Sequence, residues 1–182
     1  MSQFTVHTLE SAPADSQPLL ENSLKSFGMI PNLHGVMSEA PSVLEGYQNL
    51  HELFQKTSFS PEELTVVWQT LNVEHDCHYC VPAHTAIAHQ MKIDPAIIDA
   101  LNRGTPLPEK LEALRQFTLA MARSRGNVTP EELENFLAAG YTKQQVLEVV
   151  LGLAQKVMSN YINHFTDTPI DQPFQKFAEV YV

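Results

Sequence analysis

The segment Cys77-His78-Tyr79-Cys80-Val81-Pro82-Ala83-His84 holds the only two cysteines of a 182-residue chain, with a histidine four residues beyond the second. A Cys-x-x-Cys pair can close into a small disulfide and reopen, and its thiols often ionise below the ordinary thiol range. Random placement of two cysteines would rarely give this spacing, so the pair points to chemistry. If a helix starts near Cys77, the first thiol lies at its N-terminal turn and the second one turn further in. There the partial positive charge and spare N–H donors of a helix start favour a thiolate. Pro82 is tolerated only in a first helical turn, which places the helix start at Pro82 or a few residues before it. His84 is i+4 from Cys80 and i+7 from Cys77, and both intervals return to one helix face. It is placed to accept a proton from Cys80, directly or through a water.

Three readings of this segment compete. The thiols could be structural, with His84 a satisfied core histidine. They could bind zinc, with Cys77, Cys80 and His84 joined by His75, His78 or His89. Structural zinc sites, however, usually draw ligand pairs from two separated segments, whereas all of these come from one short stretch. The third reading, a redox dithiol, is favoured by a pair with no other cysteine in the chain.

The elements that must position this segment read as helix after helix. Val43, Tyr47, Leu50 and Phe54 form one stripe over 41–56. Ser60-Pro61-Glu62-Glu63 and Thr129-Pro130-Glu131-Glu132 are helix starts, each with an N-cap, a first-turn proline and acids near the positive end. The first should run from Pro61 to near His75. Leu107, Leu111, Leu114, Thr118 and Met121 mark a helix over about 107–124, ended by Gly126. Residues 142–164 make the longest candidate, with Thr142 as N-cap. Its apolar residues Val146, Val149, Val150, Leu153 and Val157, widened by Leu147 and Leu151, predict burial on several sides, by its own domain or by a second subunit. Residues 11–18 read as part of a loose lead-in covering 1–24, and 27–41 as a turn with a short helix. Alternating strand patterns are almost absent. The expectation is one all-α domain over 1–182, a helical bundle.

The formal net charge is −10 and the hydrophobic content 43%. That balance supplies a sizeable core, and the acidic surface argues against nucleic acid and anionic membranes as partners. The first residues show no secretory signal, and no apolar run approaches membrane-spanning length. A cytoplasmic protein is the default expectation, and there a Cys-x-x-Cys is more often redox-active or metal-binding than a structural staple.

The run Glu74-His75-Asp76-Cys77-His78-Tyr79-Cys80-Val81-Pro82-Ala83-His84-Thr85 resembles the Cys-x-x-Cys-x-x-x-His signature of AhpD-like proteins in the carboxymuconolactone decarboxylase superfamily. Phe27-Gly28-Met29-Ile30-Pro31-Asn32 is similar to that family's Gly-x-x-Pro-Asn turn, and Asn160-Tyr161-Ile162-Asn163-His164 to the end of its long late helix. The resemblance spans about residues 25–175. It implies an AhpD-like, homo-oligomeric helical bundle, a trimer or hexamer, with alkylhydroperoxidase-type antioxidant activity and no bound cofactor. Cys80 would be the peroxidatic thiolate, Cys77 the resolving thiol and His84 part of the proton relay. A lipoyl protein or thioredoxin-like dithiol donor would restore the pair.

Two positions depart from the family pattern. The relay glutamate expected twelve residues before the first cysteine is Thr65, which leaves Glu74, ahead of Glu63, as the candidate substitute. Tyr79 stands where a histidine can occur, and with an ordinary pKa near 10 it packs or gates rather than shuttling protons. His164 is a further candidate that could approach from the long helix. Two rivals remain: a non-catalytic redox sensor, which is oxidised once and changes shape, and a lactone decarboxylase, which needs no thiol pair.

Overall fold

Helix starts fall where a Ser or Thr hydroxyl can satisfy orphan N–H groups. In the computed structural model, which describes residues 3–178, Ser60, Thr129 and Thr142 each form a full capping box, with Glu63, Glu132 and Gln145. These begin α4 (Pro61–Glu74), α8 (Pro130–Ala138) and α9 (Lys143–Thr166). Before them come α1 (Gln17–Phe27), α2 (Asn32–Met37) and α3 (Pro41–Gln55). Between α4 and α8 lie α5 (Cys80–Gln90), α6 (Pro95–Arg103) and α7 (Glu109–Ser124), and α10 (Gln175–Ala178) closes the described chain. Gly28 and Gly104 end α1 and α6 with positive φ, a conformation glycine adopts without a Cβ clash. No strand occurs among the described residues.

Helix α4 is buried on every side from Glu63 to Asn72 and packs against α5, α6, α7 and α9. Around it are two apolar clusters. One gathers Trp68, Leu71, Ile98, Leu114, Phe117 and Phe136 from α4, α6, α7 and α8, with Phe54 of α3. The other holds Leu20, Leu33, Leu44 and Tyr47 together with Cys77, Tyr79 and Cys80, so the dithiol segment is part of the core. Helix α9 runs past both: Val149 joins the first cluster, and Met158 and Ile162 pack on the second.

The supposed lead-in is packed rather than loose. Ala12, Ser16 and Leu20 are buried, and the Ser16 hydroxyl donates to the Ser38 carbonyl. Its polar composition disguises this, because serine is satisfied by a backbone acceptor and so enters the core at little cost.

Close approach of α9 to its neighbours depends on Gly152. A Cβ there would lie 2.7 and 2.8 Å from two ring carbons of the fully buried Phe54, and 2.9 Å from Val67 Cγ1. Gly152→Val is therefore expected to lower stability by at least ~2 kcal/mol through overpacking, read as a drop in the urea midpoint. An unchanged midpoint would mean that α3 and α4 can move aside.

Candidate active site

The two thiols are brought together by a reversal between α4 and α5. Asp76 takes a left-handed conformation (φ 50), and Cys77 then donates its N–H to the Asn72 carbonyl at 3.0 Å. Helix α5 begins at Cys80 itself. Cys77 therefore precedes the helix and does not form its first turn, and Pro82 sits within the first turn. The Cys77 sulfur accepts the Cys80 N–H at 3.3 Å, acting as a cap for that turn. Both cysteines are free and buried.

Opposite them lies a face of α9 that its apolar residues do not announce. The expected burial of Val146, Val150, Leu153 and Val157 is not what the helix does: Val150 is exposed and the other three are only half-buried. The fully buried line is instead polar, comprising Gln155, Lys156, Ser159, Asn160 and Asn163 around Val149 and Gly152. Every one of these polar residues has a partner. Asn163 Nδ2 donates to Cys80 Sγ at 3.1 Å. Asn160 Nδ2 donates to Asn72 Oδ1, and its Oδ1 meets His75 Nδ1 at 2.8 Å. Gln155 Oε1 accepts from the Trp68 indole, and Ser159 donates to the Lys156 carbonyl. Lys156 Nζ lies 3.0 Å from His84 Nε2. A buried polar group is tolerated when paired, and here the pairing runs between helices far apart in sequence.

These neighbours split the ionisation of the two thiols. Burial opposes a charge on Cys80, but it is outweighed by the hydrogen bond from the Cys77 thiol, the Lys156 charge and the Asn163 and Asn160 amides. Together they hold Cys80 down at about 5. The Cys77 thiol is pushed up by the hydrogen bond it gives Cys80, by burial and by the Cys80 charge. Burial lowers Lys156, and the Cys80 and Cys77 charges oppose that shift. His84 is held well below its ordinary value by burial, then by Lys156 and His51, so a neutral imidazole faces the ammonium. At neutral pH the pair is thus unequal, with Cys80 a thiolate and Cys77 a thiol.

A column of rings leads to this group. Phe27, His34, Tyr47, His51, Trp68 and His84 follow one another with centroid spacings of 5.6, 5.5, 6.4, 5.5 and 5.2 Å. Burial lowers His34 to about 3 and His51 to about 4, and it raises Tyr47.

Comparison with known proteins places this architecture. A peroxidase-related protein of Ralstonia eutropha with an alkylhydroperoxidase AhpD core superposes with a TM-score of 0.85 at 18% identity, covering 100% of this chain and 98% of that one. The chain has the AhpD fold. A second peroxidase-related protein, from Silicibacter sp., matches this AhpD-like chain with a TM-score of 0.80 at 18% identity, over 94% of this chain and 92% of that one. The debrominase Bmp8, in complex with 2,3,4-tribromopyrrole, gives 0.81 at 17% identity over the full length of both chains. In sequence, mouse and human Sestrin-2 are 28% identical over 149 residues, which is 79% of this chain. The AhpD-like chain spans only about 30% of the length of those relatives. No protein-family model matches it.

Within the site the residues singled out from sequence separate. Cys77, Cys80 and His84 come together, but His84 is joined to Lys156 and makes no hydrogen bond to either thiol. Glu74 must be corrected as the relay: both its oxygens hold Arg123, at 2.7 and 2.8 Å, in a cleft between α4 and α7, and this pairing keeps its carboxyl low. Glu63 is used by its capping box and Lys110, and Thr65 bonds the Pro61 carbonyl. His164 is exposed. Tyr79 packs, donating its hydroxyl to Asp171. The histidines of the zinc reading are engaged elsewhere: His75 with Asn160, His78 with the Thr168 carbonyl, and His89 stacked on Phe177. Among the described residues no three His, Cys, Asp or Glu side chains are placed to hold a metal.

Lys156 and Asn163 are the residues that the motif does not reveal. A signal for the lysine does exist, since it is the only Lys, Arg, Asp or Glu between Glu148 and Asp167.

Because His34, His51 and His84 stay neutral in the fold, the unfolded chain takes up protons that the native state refuses below about pH 6.5. Their stabilisation is complete above that pH and is lost as the pH falls toward the native values. The depressed Cys80 and the depressed Lys156 act in the same direction at higher pH, so a Cys80→Ser/Lys156→Met background isolates the histidines. In that background, stability by denaturant titration should be flat from pH 8 to 7. It should then fall between pH 6.5 and 5 with a slope approaching three protons, roughly 4 kcal/mol per pH unit. A curve flat down to pH 5 would contradict the neutral-histidine assignment.

Proposed function

We propose that this AhpD-like protein is a dithiol enzyme that reduces an organic hydroperoxide, with Cys80 as nucleophile and Cys77 as resolving thiol. The observation that carries this reading is the unequal pair: a thiolate stabilised beside Lys156 and Asn163, next to a thiol that stays protonated. The Cys80 thiolate attacks the terminal oxygen of the hydroperoxide. An S–O bond forms, the O–O bond breaks, and an alkoxide leaves and is protonated to the alcohol. Cys77 then attacks the sulfur of the resulting sulfenic acid, a disulfide forms and water leaves. A lipoyl or thioredoxin-like dithiol returns two electrons by exchange. Peroxidase-related proteins of the same fold support this reading.

A second reading shares the nucleophile and replaces the peroxide with a halogenated ring. It is favoured by the ring column beside the thiols and by full-length likeness to the debrominase Bmp8. Helix α9 also leaves Leu147, Val150, Tyr161 and Phe165 exposed, an apolar surface suited to a second copy of the chain in a homo-oligomer.

The test follows thiol content and turnover with tert-butyl hydroperoxide, and separately with a brominated pyrrole, with dihydrolipoamide as reductant. The wild type should consume many equivalents of hydroperoxide. Cys80→Ser should abolish turnover, whereas Cys77→Ser should allow one oxidation event and then stall as a sulfenic acid. Loss of both thiols without turnover would favour a sensor, and turnover with the pyrrole alone would favour the second reading. Retained activity in Cys80→Ser, with loss in Cys77→Ser, would reverse the two roles.

A further inference from the structure

One atom of the α9 stripe has no part in the chemistry above. Asn163 is fully buried and gives its Nδ2 to Cys80 Sγ at 3.1 Å, yet its Oδ1 has no hydrogen-bond partner. Leaving a buried acceptor unpaired costs about 1–3 kcal/mol, and folded proteins keep few such atoms. The other two buried unpartnered atoms among the described residues are the hydroxyls of Thr70 and Ser124, on α4 and at the end of α7. Neither side chain bonds a cysteine, and a hydroxyl can turn to find a partner. Asn163 is different because its amide plane is already pinned by the sulfur. Its free oxygen is therefore held within one side chain's width of the reacting atom.

The position on the helix adds a second group. Asn163 lies seven residues after Lys156, two turns along the same face. Lys156 is also fully buried and bonds His84 through one of its N–H groups. An ammonium has three N–H donors, so one bond to His84 leaves two for another acceptor. The stripe therefore presents a hydrogen-bond acceptor and a proton donor on the wall that faces the thiolate.

We propose that Asn163 orients the substrate with both ends of its amide: Nδ2–H holds the Cys80 sulfur while Oδ1 accepts the O–H of an incoming hydroperoxide, and Lys156 gives the departing alkoxide its proton. This rests on the hydroperoxide reading and specifies its selectivity. The hydroxyl oxygen held by Oδ1 is the one the sulfur attacks. As the S–O bond forms, the electron pair of the O–O bond passes to the alkyl-bearing oxygen, which takes a proton from the Lys156 ammonium and leaves as alcohol. The O–H proton stays on the transferred oxygen, so the Cys80 sulfenic acid donates to the same Asn163 oxygen that received the substrate. Substrates with an O–H next to the electrophilic oxygen satisfy the acceptor. Electrophiles with no donor leave it unpaired and gain nothing from it.

The experiment compares two reagents on full-length protein, each on the pH plateau above that variant's own thiolate titration. tert-Butyl hydroperoxide carries the O–H, and methyl methanethiosulfonate carries no hydrogen-bond donor. Asn163→Ala should slow oxidation by the hydroperoxide about tenfold or more, the expected loss for one transition-state hydrogen bond. It should change the methanethiosulfonate rate by less than about threefold. Asn163→Ser, which restores a small acceptor, should recover part of the hydroperoxide rate and serves if the alanine variant folds poorly. Lys156→Met should likewise slow the hydroperoxide more than the methanethiosulfonate on the plateau. Equal slowing of both reagents in Asn163→Ala and Asn163→Ser would reduce Asn163 to a support for the sulfur and overturn the proposal. An unchanged hydroperoxide rate would overturn it as well. Failure of the underlying reading shows earlier and separately: wild-type Cys80 would react with tert-butyl hydroperoxide no faster than a small free thiolate.

Discussion

A lysine with no exposed surface, placed against a neutral histidine and a thiol pair, sets the terms for the rest of the structure. Taking an ammonium out of water costs several kcal/mol unless an opposite charge accompanies it. Within the core the Cys80 thiolate is that charge: each member of the pair favours the ionised form of the other. His84 stays neutral and offers Lys156 a lone pair rather than a second positive charge. The amide stripe on α9 then surrounds the pair with hydrogen-bonding dipoles held in place by their own partners. Removing any one group changes the burden on the others, which explains why so polar a wall survives in the middle of a helical core.

Much of this organisation was readable before any coordinates. The paired cysteines, His84, the Pro82 limit on the helix start and the three N-capping sites all follow from local rules, because spacing within one helix decides them. Lys156 and Asn163 escaped those rules for a definite reason. Helix α9 carries apolar residues nearly all round, so hydrophobic periodicity could not say which face goes inward. The partners that make its polar face tolerable lie on α4 and α5, about 70–90 residues away in the chain. Glu74 failed as a relay through proximity alone: three residues from Cys77 in sequence, it belongs to a helix end whose carboxylate faces Arg123 on α7. The N-terminal segment was misread because serine-rich composition resembles a linker when its backbone partner, the Ser38 carbonyl, is out of sight.

Three distant segments meet over the dithiol turn. Tyr79, between the cysteines, donates to Asp171, and Asp171 also accepts the Asn32 N–H at 3.0 Å. Asn32 in turn donates to the Pro169 carbonyl, and His78 meets the Thr168 carbonyl at 3.0 Å. The Gly28–Asn32 turn and the stretch after α9 are thereby fastened to the loop that carries both thiols. This explains why the Gly28–Asn32 turn accompanies the Cys-x-x-Cys although it contains no reactive group.

The ring column has an optical consequence. Trp68 is the only tryptophan in the chain. Its indole lies almost parallel to the His51 ring, at 16°, with centroids 5.5 Å apart, and sits 5.2 Å from His84. Protonated imidazole quenches indole emission far more strongly than neutral imidazole. The protein thus has an intrinsic fluorophore built into the wall of its own site, and its emission registers the charge state of that wall without any added label.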